Sequence, residues 1–162
     1  MAERLSAGIL LYRRAADGGL EVLLAHPGGP FFKDRDLGDW TIPKGEPDGH
    51  GEPLDVVARR EFAEETGTPI DPTLPTIPLG SIVQKGGKVV HAWAVEGDLD
   101  VTAALSNTFA MEWPPRSGRR EVFPEIDRVG WFEPDEARRR IKASQIPLID
   151  RLEKALAKTA EA

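Results

Sequence analysis

The segment PLDVVARREFAEETGTP, residues 53–69, is the stretch that most constrains the fold, because its punctuation allows little but a helix of fixed length. Pro53 suits the first helical position, Gly67 suits a left-handed C-terminal cap, and Pro69 forbids continuation. The spacing predicts a helix over Pro53 to Thr66. At roughly 100° per residue, with Leu54 set at zero, Val57 falls near 300°, Ala58 near 40°, Glu61 near 340° and Glu65 near 20°. Two glutamates therefore share the apolar side, and Glu64, at roughly 280°, flanks Val57. Asp55, Arg59 and Ala63 point the other way.

An acid-rich helix is ordinarily a solvated face laced with ion pairs. The angles argue against that here. Inward carboxylates one turn apart repel each other, and burial raises that cost unless a cation or a guanidinium stands between them. Arg60 can neutralise one of them. Hard oxygen donors with no cysteine and no histidine among them suit Mg2+ or Mn2+ better than zinc.

Around this helix the chain reads as strands. SAGILLYRR and LEVLLAH are aliphatic runs separated by the turn-rich AADGG, which predicts an antiparallel hairpin. Pro27 to Asp39 reads as an irregular loop, followed by a brief strand at Trp40 to Ile42. Further strands are expected at Leu79 to Gln84, Val89 to Glu96 and Arg128 to Phe132, with a short one near Thr108 to Trp113 that leads into an exposed basic loop. The C-terminal stretch reads as two helices with Pro134 and Pro147 in their first turns. Strands interrupted by one helix and closed by others give an α/β (α+β) class with a mixed sheet between helices, not a doubly wound parallel sheet. At 162 residues the chain holds one core, so residues 1–158 are expected to form a single domain and 159–162 to fray.

The 21 basic and 27 acidic residues leave a formal charge of -6, which disfavours nucleic acid and anionic membranes as partners. A polyanionic ligand would need local positive charge or metal ions. Without cysteine there is no disulfide framework, thiolate metal site or cysteine nucleophile. The opening residues resemble neither a secretory signal nor a membrane span, so the expectation is a soluble, cytoplasmic protein.

Residues 45–68, GEPDGHGEPLDVVARREFAEETGT, resemble the Nudix box, G-x5-E-x7-R-E-U-x-E-E-x-G-U with U apolar. Gly45, Glu52, Arg60, Glu61, Phe62, Glu64, Glu65 and Gly67 fall on its fixed positions. Six residues rather than five separate Gly45 from Glu52, and Thr68 stands at the final apolar position. An added loop residue is absorbed cheaply, since closure cost grows slowly with loop length.

The resemblance implies a Nudix-like α/β/α sandwich and a Mg2+- or Mn2+-dependent hydrolase that cleaves a nucleoside diphosphate linked to another group. It implies Glu61, Glu64 and Glu65 as metal ligands and Arg60 as the residue that orients them. Glu52 would be a carboxylate at the helix start or behind the ligands. Gly45 would bring loop backbone up to the metal.

Outside the box, Glu125, just before the strand in FPEIDRVGWF, resembles the extra ligand or base of several Nudix hydrolases; the alternative is a loop carboxylate capping a nearby group. Lys44 could hold a phosphate as a point charge. Lys85, Lys88, Arg116, Arg119 and Arg120 could reach a longer polyphosphate, against the commoner role of exposed surface bases. Phe31, Phe32, Trp40, Trp113 and Phe123 could stack on a base, against ordinary core packing. His26, His50 and His91 form no ligand cluster, though His50 could touch the site from the glycine-rich loop.

WTIPKGE, KVVHAWAVEGDLD and FPEIDRVGWF resemble the dinucleoside-polyphosphate branch of the family, which cuts substrates such as diadenosine tetraphosphate. The expected partner is thus a small nucleotide. Oxidised nucleoside triphosphates, nucleotide sugars and capped RNA compete as substrates. A nucleotide-binding Nudix module without catalysis, or a housecleaning enzyme of broad specificity, are the other readings. Oligomeric state is not legible in the sequence.

Overall fold

Alternation along the first strand sets the whole architecture. In the computed structural model, which describes residues 4–49 and 51–161, with side chains as far as Thr159, strand β1 spans Leu5–Arg14. Its Ala7, Ile9 and Leu11 face one way and its Leu10 and Tyr12 the other, all buried. A strand buried on both faces must be covered on both. Val57, Ala58 and Phe62 of helix α1 (Leu54–Thr66) cover the first face. Leu148, Ile149 and Leu152 of α3 (Ile146–Glu161) cover the second.

The sheet is mixed. β1 pairs in parallel with β5 (Val89–Glu96), in register from Leu5 opposite Val89 to Tyr12 opposite Glu96. β4 (Ile77–Val83) lies antiparallel to β5 at one edge. On the other side β2 (Leu20–Pro27) pairs antiparallel with β1 and with β8 (Ile126–Phe132), giving the order β4-β5-β1-β2-β8.

One departure from regular pairing builds the site. β1 and β2 pair only from Tyr12 to Arg14 on β1. Residues 40–45 wedge into the gap beyond. Thr41 exchanges main-chain hydrogen bonds with Ala25 of β2, and the Ile9 N–H of β1 donates to Pro43 O. The strand expected at Trp40 to Ile42 is thus made of isolated bridges, and the paired piece is β3 (Lys44–Gly45), opposite Gly8 and Ala7. Gly8 permits the wedge, since a Cβ there would stand 2.6 Å from Pro43 O.

β6 (Thr108–Glu112) and β7 (Arg120–Pro124) form a separate two-stranded ribbon. The expected basic loop is therefore half strand. Its outward residues carry no apolar alternation, because a ribbon beside the main sheet need bury only part of one face. α2 (Pro134–Arg140) has Pro134 in its first turn, and Pro147 occupies the first turn of α3. No helix among the described residues is long and apolar enough to cross a membrane.

Candidate active site

The wedge brings Lys44 and Gly45 against one side of α1, and the fit is close. A Cβ on Gly45 would lie 2.0 Å from Glu61 Cδ, so any other residue here would force the Glu61 carboxylate to move. The Lys44 N–H donates to Glu65 Oε2 at 3.1 Å. Glu65 is 8% exposed, as its helical angle requires, and the Glu61 side chain is 12% exposed. Glu64 is the outlying member at 40%.

Arg60 binds this group to the loop in front of it. Its NH2 donates to Glu52 Oε1 at 3.1 Å and its NH1 to Glu61 Oε1 at 2.8 Å. Glu64 and Asp48 each lie 3.5 Å from the same guanidinium. Glu52 Oε1 also accepts the Asp48 N–H, which closes the lengthened glycine-rich loop. Glu52 thus holds Arg60 and the loop and does not itself line the carboxylate cleft.

The end of α1 explains how Glu125 arrives. A helix leaves its last carbonyls without internal partners. Here the Leu105 N–H donates to Thr66 O and the Asn107 N–H to Glu64 O, while Asn107 O accepts from the Glu125 N–H. Asn107 therefore couples the helix terminus to Glu125, and both line a cavity of about 400 Å3 with Lys44, Gly45, Glu61, Glu64 and Glu65. Nothing in the sequence marks Asn107, since its contribution is main-chain. Glu46 and Asp48, also in this cavity, went unremarked within the box loop. Glu46 pairs with Lys88 at 3.0 Å.

Electrostatics follow from this crowding. Burial, then the neighbouring Glu64, raises the pKa of Glu61 against the pull of Arg60. Burial raises Glu65 to about 8, opposed by the Lys44 N–H. Glu125 is raised by burial and by Glu64. Lys44 is lowered to about 8 by burial and by Lys142 and Lys88. Six acidic groups line one cleft, and three of them, Glu61, Glu65 and Glu125, are held above their ordinary range, which is the signature of a place where positive charge is wanted. Among the described residues no three acidic or histidine side chains already converge in metal-ligand geometry, and Arg60 stands between Glu61 and Glu64. The donor set is nonetheless all hard oxygen, and the Gly45 backbone packs directly against the Glu61 carboxylate.

Other candidates fall elsewhere. Trp40 is 3% exposed and packed edge-on against His26 and Phe132, with its Nε1–H donated to Asp36, so it is a core residue rather than a platform for a base. Lys85 is exposed and lines a different cavity with Arg35 and Lys142. Arg119 is exposed on the β6–β7 connection and does not line the carboxylate cleft. Loop position alone did not separate these bases from Lys88, which reaches the cleft through Glu46. His26 is buried and bonded to Asp127, and His50 lies outside the described residues.

The NUDIX domain family matches residues 2–152. The chain belongs to the Nudix family. Among solved structures it is similar to the Ap4A hydrolase binary complex from C. elegans, at 23% identity and a TM-score of 0.65, covering 94% of this chain and 98% of that one. The NUDIX domain of Shewanella oneidensis NrtR complexed with ADP ribose is similar at 20% identity and a TM-score of 0.65, covering 96% and 90%. NrtR complexed with a 27mer DNA aligns at 20% identity and a TM-score of 0.60, covering 96% of this chain and 63% of that one. These likenesses are of fold, and they agree with the mixed-sheet Nudix architecture expected from the sequence.

Proposed function

We propose that this Nudix protein is a Mg2+- or Mn2+-dependent pyrophosphohydrolase acting on a nucleoside diphosphate linked to another group, with dinucleoside polyphosphates as the favoured substrates. The observation that carries the reading is the convergence of Glu61, Glu64, Glu65 and Glu125 on one cleft whose loop wall, at Gly45, packs directly against the Glu61 carboxylate.

In this reading Glu61, Glu64 and Glu65, with the Gly45 carbonyl, hold the metal. When bound, the metal neutralises phosphate oxygens and lowers the pKa of an attacking water. Arg60 keeps Glu61 aimed into the cleft, and Glu52 keeps Arg60 in place. Lys44, half-buried at the cleft wall, meets a phosphate oxygen with its ammonium. Glu125, outside the helix and reaching the cleft from the β7–β8 junction, accepts the proton of the attacking water.

The dinucleoside-polyphosphate preference is supported by the likeness to the C. elegans hydrolase and by the WTIPKGE and FPEIDRVGWF segments. A second reading, a nucleotide-binding regulator, is favoured by the NrtR likeness and by the engagement of Glu61 with Arg60. Broad housecleaning activity is the alternative within catalysis. Comparing kcat/KM with Mg2+ across diadenosine tetraphosphate, ADP-ribose and oxidised nucleoside triphosphates separates them. The proposal expects diadenosine tetraphosphate to lead. Bound but uncleaved nucleotide throughout supports the regulator, and a flat profile supports the housecleaning enzyme.

A further inference from the structure

His26, near the end of β2, is fully buried and does not line the carboxylate cleft, yet both of its ring nitrogens are in use. Nδ1 stands 2.8 Å from Asp127 Oδ1 on β8, and Nε2 stands 2.6 Å from the main-chain oxygen of Arg35. A carboxylate and a carbonyl oxygen only accept, so each bond needs a proton on the ring, and a neutral imidazole carries one. A carboxylate is a weaker base than an imidazole, so both protons reside on the ring. The two bonds together describe an imidazolium. Asp127 balances its charge, and Trp40 meets the ring edge-on at 5.1 Å.

The two partners belong to segments that little else joins. Among the described residues, the bond to His26 is the one hydrogen bond that leaves the main chain of residues 29–35; the Phe32 and Arg35 N–H groups turn back to Gly29 O and Phe32 O. Just before that stretch, the Gly28 N–H donates to Glu125 O, two residues ahead of Asp127. The β2–β8 register shifts between His26 and Pro27, so the regular ladder does not supply the link there. One ring thus ties the middle of the loop to the strand that starts beside Glu125.

The charges around the ring are already committed to other partners. On β8, Arg128 lies opposite His26, 3.5 Å from Asp127, with its guanidinium over Trp40. In the loop, Arg35 pairs with Asp39 at 3.8 Å, and Asp36 accepts from the Trp40 Nε1–H and from Arg140 of α2. When the ring gives up a proton, the one on Nδ1 is retained, because a hydrogen bond to a carboxylate is the stronger of the two. Bare Nε2 then faces the Arg35 oxygen, and two acceptors at that distance repel.

We infer that His26 is a positioning residue that clamps the 28–39 loop to β8 beside Glu125 while both ring nitrogens carry protons, and that loss of the Nε2 proton frees the loop at Arg35. Histidine suits this task, since it is the side chain that changes charge in the neutral range. The consequence for the cleft rests on the role proposed for Glu125, whereas the clamp itself requires neither metal nor nucleotide.

NMR on the intact, metal-free protein between about pH 5 and 9 tests it, with long-range 1H–15N correlations reading the His26 ring and amide–water exchange reading the loop. As the ring passes from imidazolium to the Nδ1–H tautomer, protection at Phe32 and Arg35, corrected for the intrinsic effect of pH, is expected to fall by roughly tenfold or more, the worth of a hydrogen bond to a charged group. His26→Gln, whose side chain does not titrate, is expected to show the low protection throughout. Asp127→Asn keeps an acceptor but removes the anion, and is expected to move the ring and loop transitions to lower pH together. Should His26→Gln fold poorly, that joint shift decides. Loop protection that stays level while the ring loses its proton would overturn the inference, as would a ring held in one state across the range in both the parent and Asp127→Asn. Loop release that follows the ring in a protein that cleaves no nucleotide upholds the clamp and removes the hydrolase. Cleavage with loop protection indifferent to the ring does the reverse.

Discussion

The main-chain N–H of Lys44 donates to the carboxylate of Glu65 across a cleft wall that also holds the Lys44 ammonium. Both side chains are pushed to about 8, one upward and the other downward. Between the ordinary carboxylate range and pH 8 the folded chain keeps a proton on Glu65 that the unfolded chain has lost, so this group's contribution to stability falls as pH rises. Above pH 8 the folded chain has lost the Lys44 proton while the unfolded chain retains it to about 10.5, so that contribution rises with pH. Metal-free protein is thus expected to show a local minimum in Tm near pH 8. Glu65→Gln should shrink the falling limb, to which the raised Glu61 and Glu125 also contribute, and saturating Mg2+ should flatten it. A Tm profile identical in the parent and Glu65→Gln would contradict the assignment of the buried charge.

Gly45→Ala tests the close approach of loop and helix. The added Cβ collides with Glu61, whereas at Gly49, in the same loop, a Cβ meets nothing within 4 Å. Turnover of Gly45→Ala is expected to fall by roughly a hundredfold or more, since misplacing a catalytic group by about 1 Å costs that much. Gly49→Ala should stay near the parent. Steady-state kinetics on the pair, with Tm as a check on folding, gives the comparison.

Glu125→Gln keeps the shape and the main-chain bond to Asn107 and removes only the ability to take a proton. A general base contributes roughly a hundred- to ten-thousandfold, so kcat should drop within that range while KM moves little. Near-normal turnover would return Glu125 to the role of a loop carboxylate.

Phe62 is fully buried between α1 and the sheet. Phe62→Ala is expected to cost about 3–5 kcal/mol, read from chemical denaturation. Glu61 and Glu65 flank it on the same helix side, so the variant should also lose activity at temperatures where it remains folded.

The site was legible where local geometry decides it. Helical angle alone turned Glu61 and Glu65 inward and left Glu64 at the edge, and the Gly67 cap fixed the C-terminal end, whereas Pro53, read as the first helical residue, is the non-helical N-cap before Leu54. Gly45 and Glu125 were named from resemblance, and their mutual placement was not foreseeable, because it depends on the wedge at residues 40–45 and on the Asn107 main chain. Trp40 shows the limit plainly. An aromatic beside the box looks like a base platform, yet its side chain alternates to the far face of the sheet and packs under α2 and α3. The second strand of the β6–β7 ribbon was hidden for a related reason: a strand with one partner and little burial leaves no hydrophobic period.

The central claim is that the glutamates of α1 exist to hold a divalent cation, and anomalous diffraction from crystals soaked in Mn2+ tests it most directly. The account predicts a strong peak bounded by Glu61, Glu64 and Glu65, with Arg60 still held by Glu52 and Glu61 and no longer bridging to Glu64. An empty cleft with Arg60 still bridging Glu61 and Glu64 would contradict it.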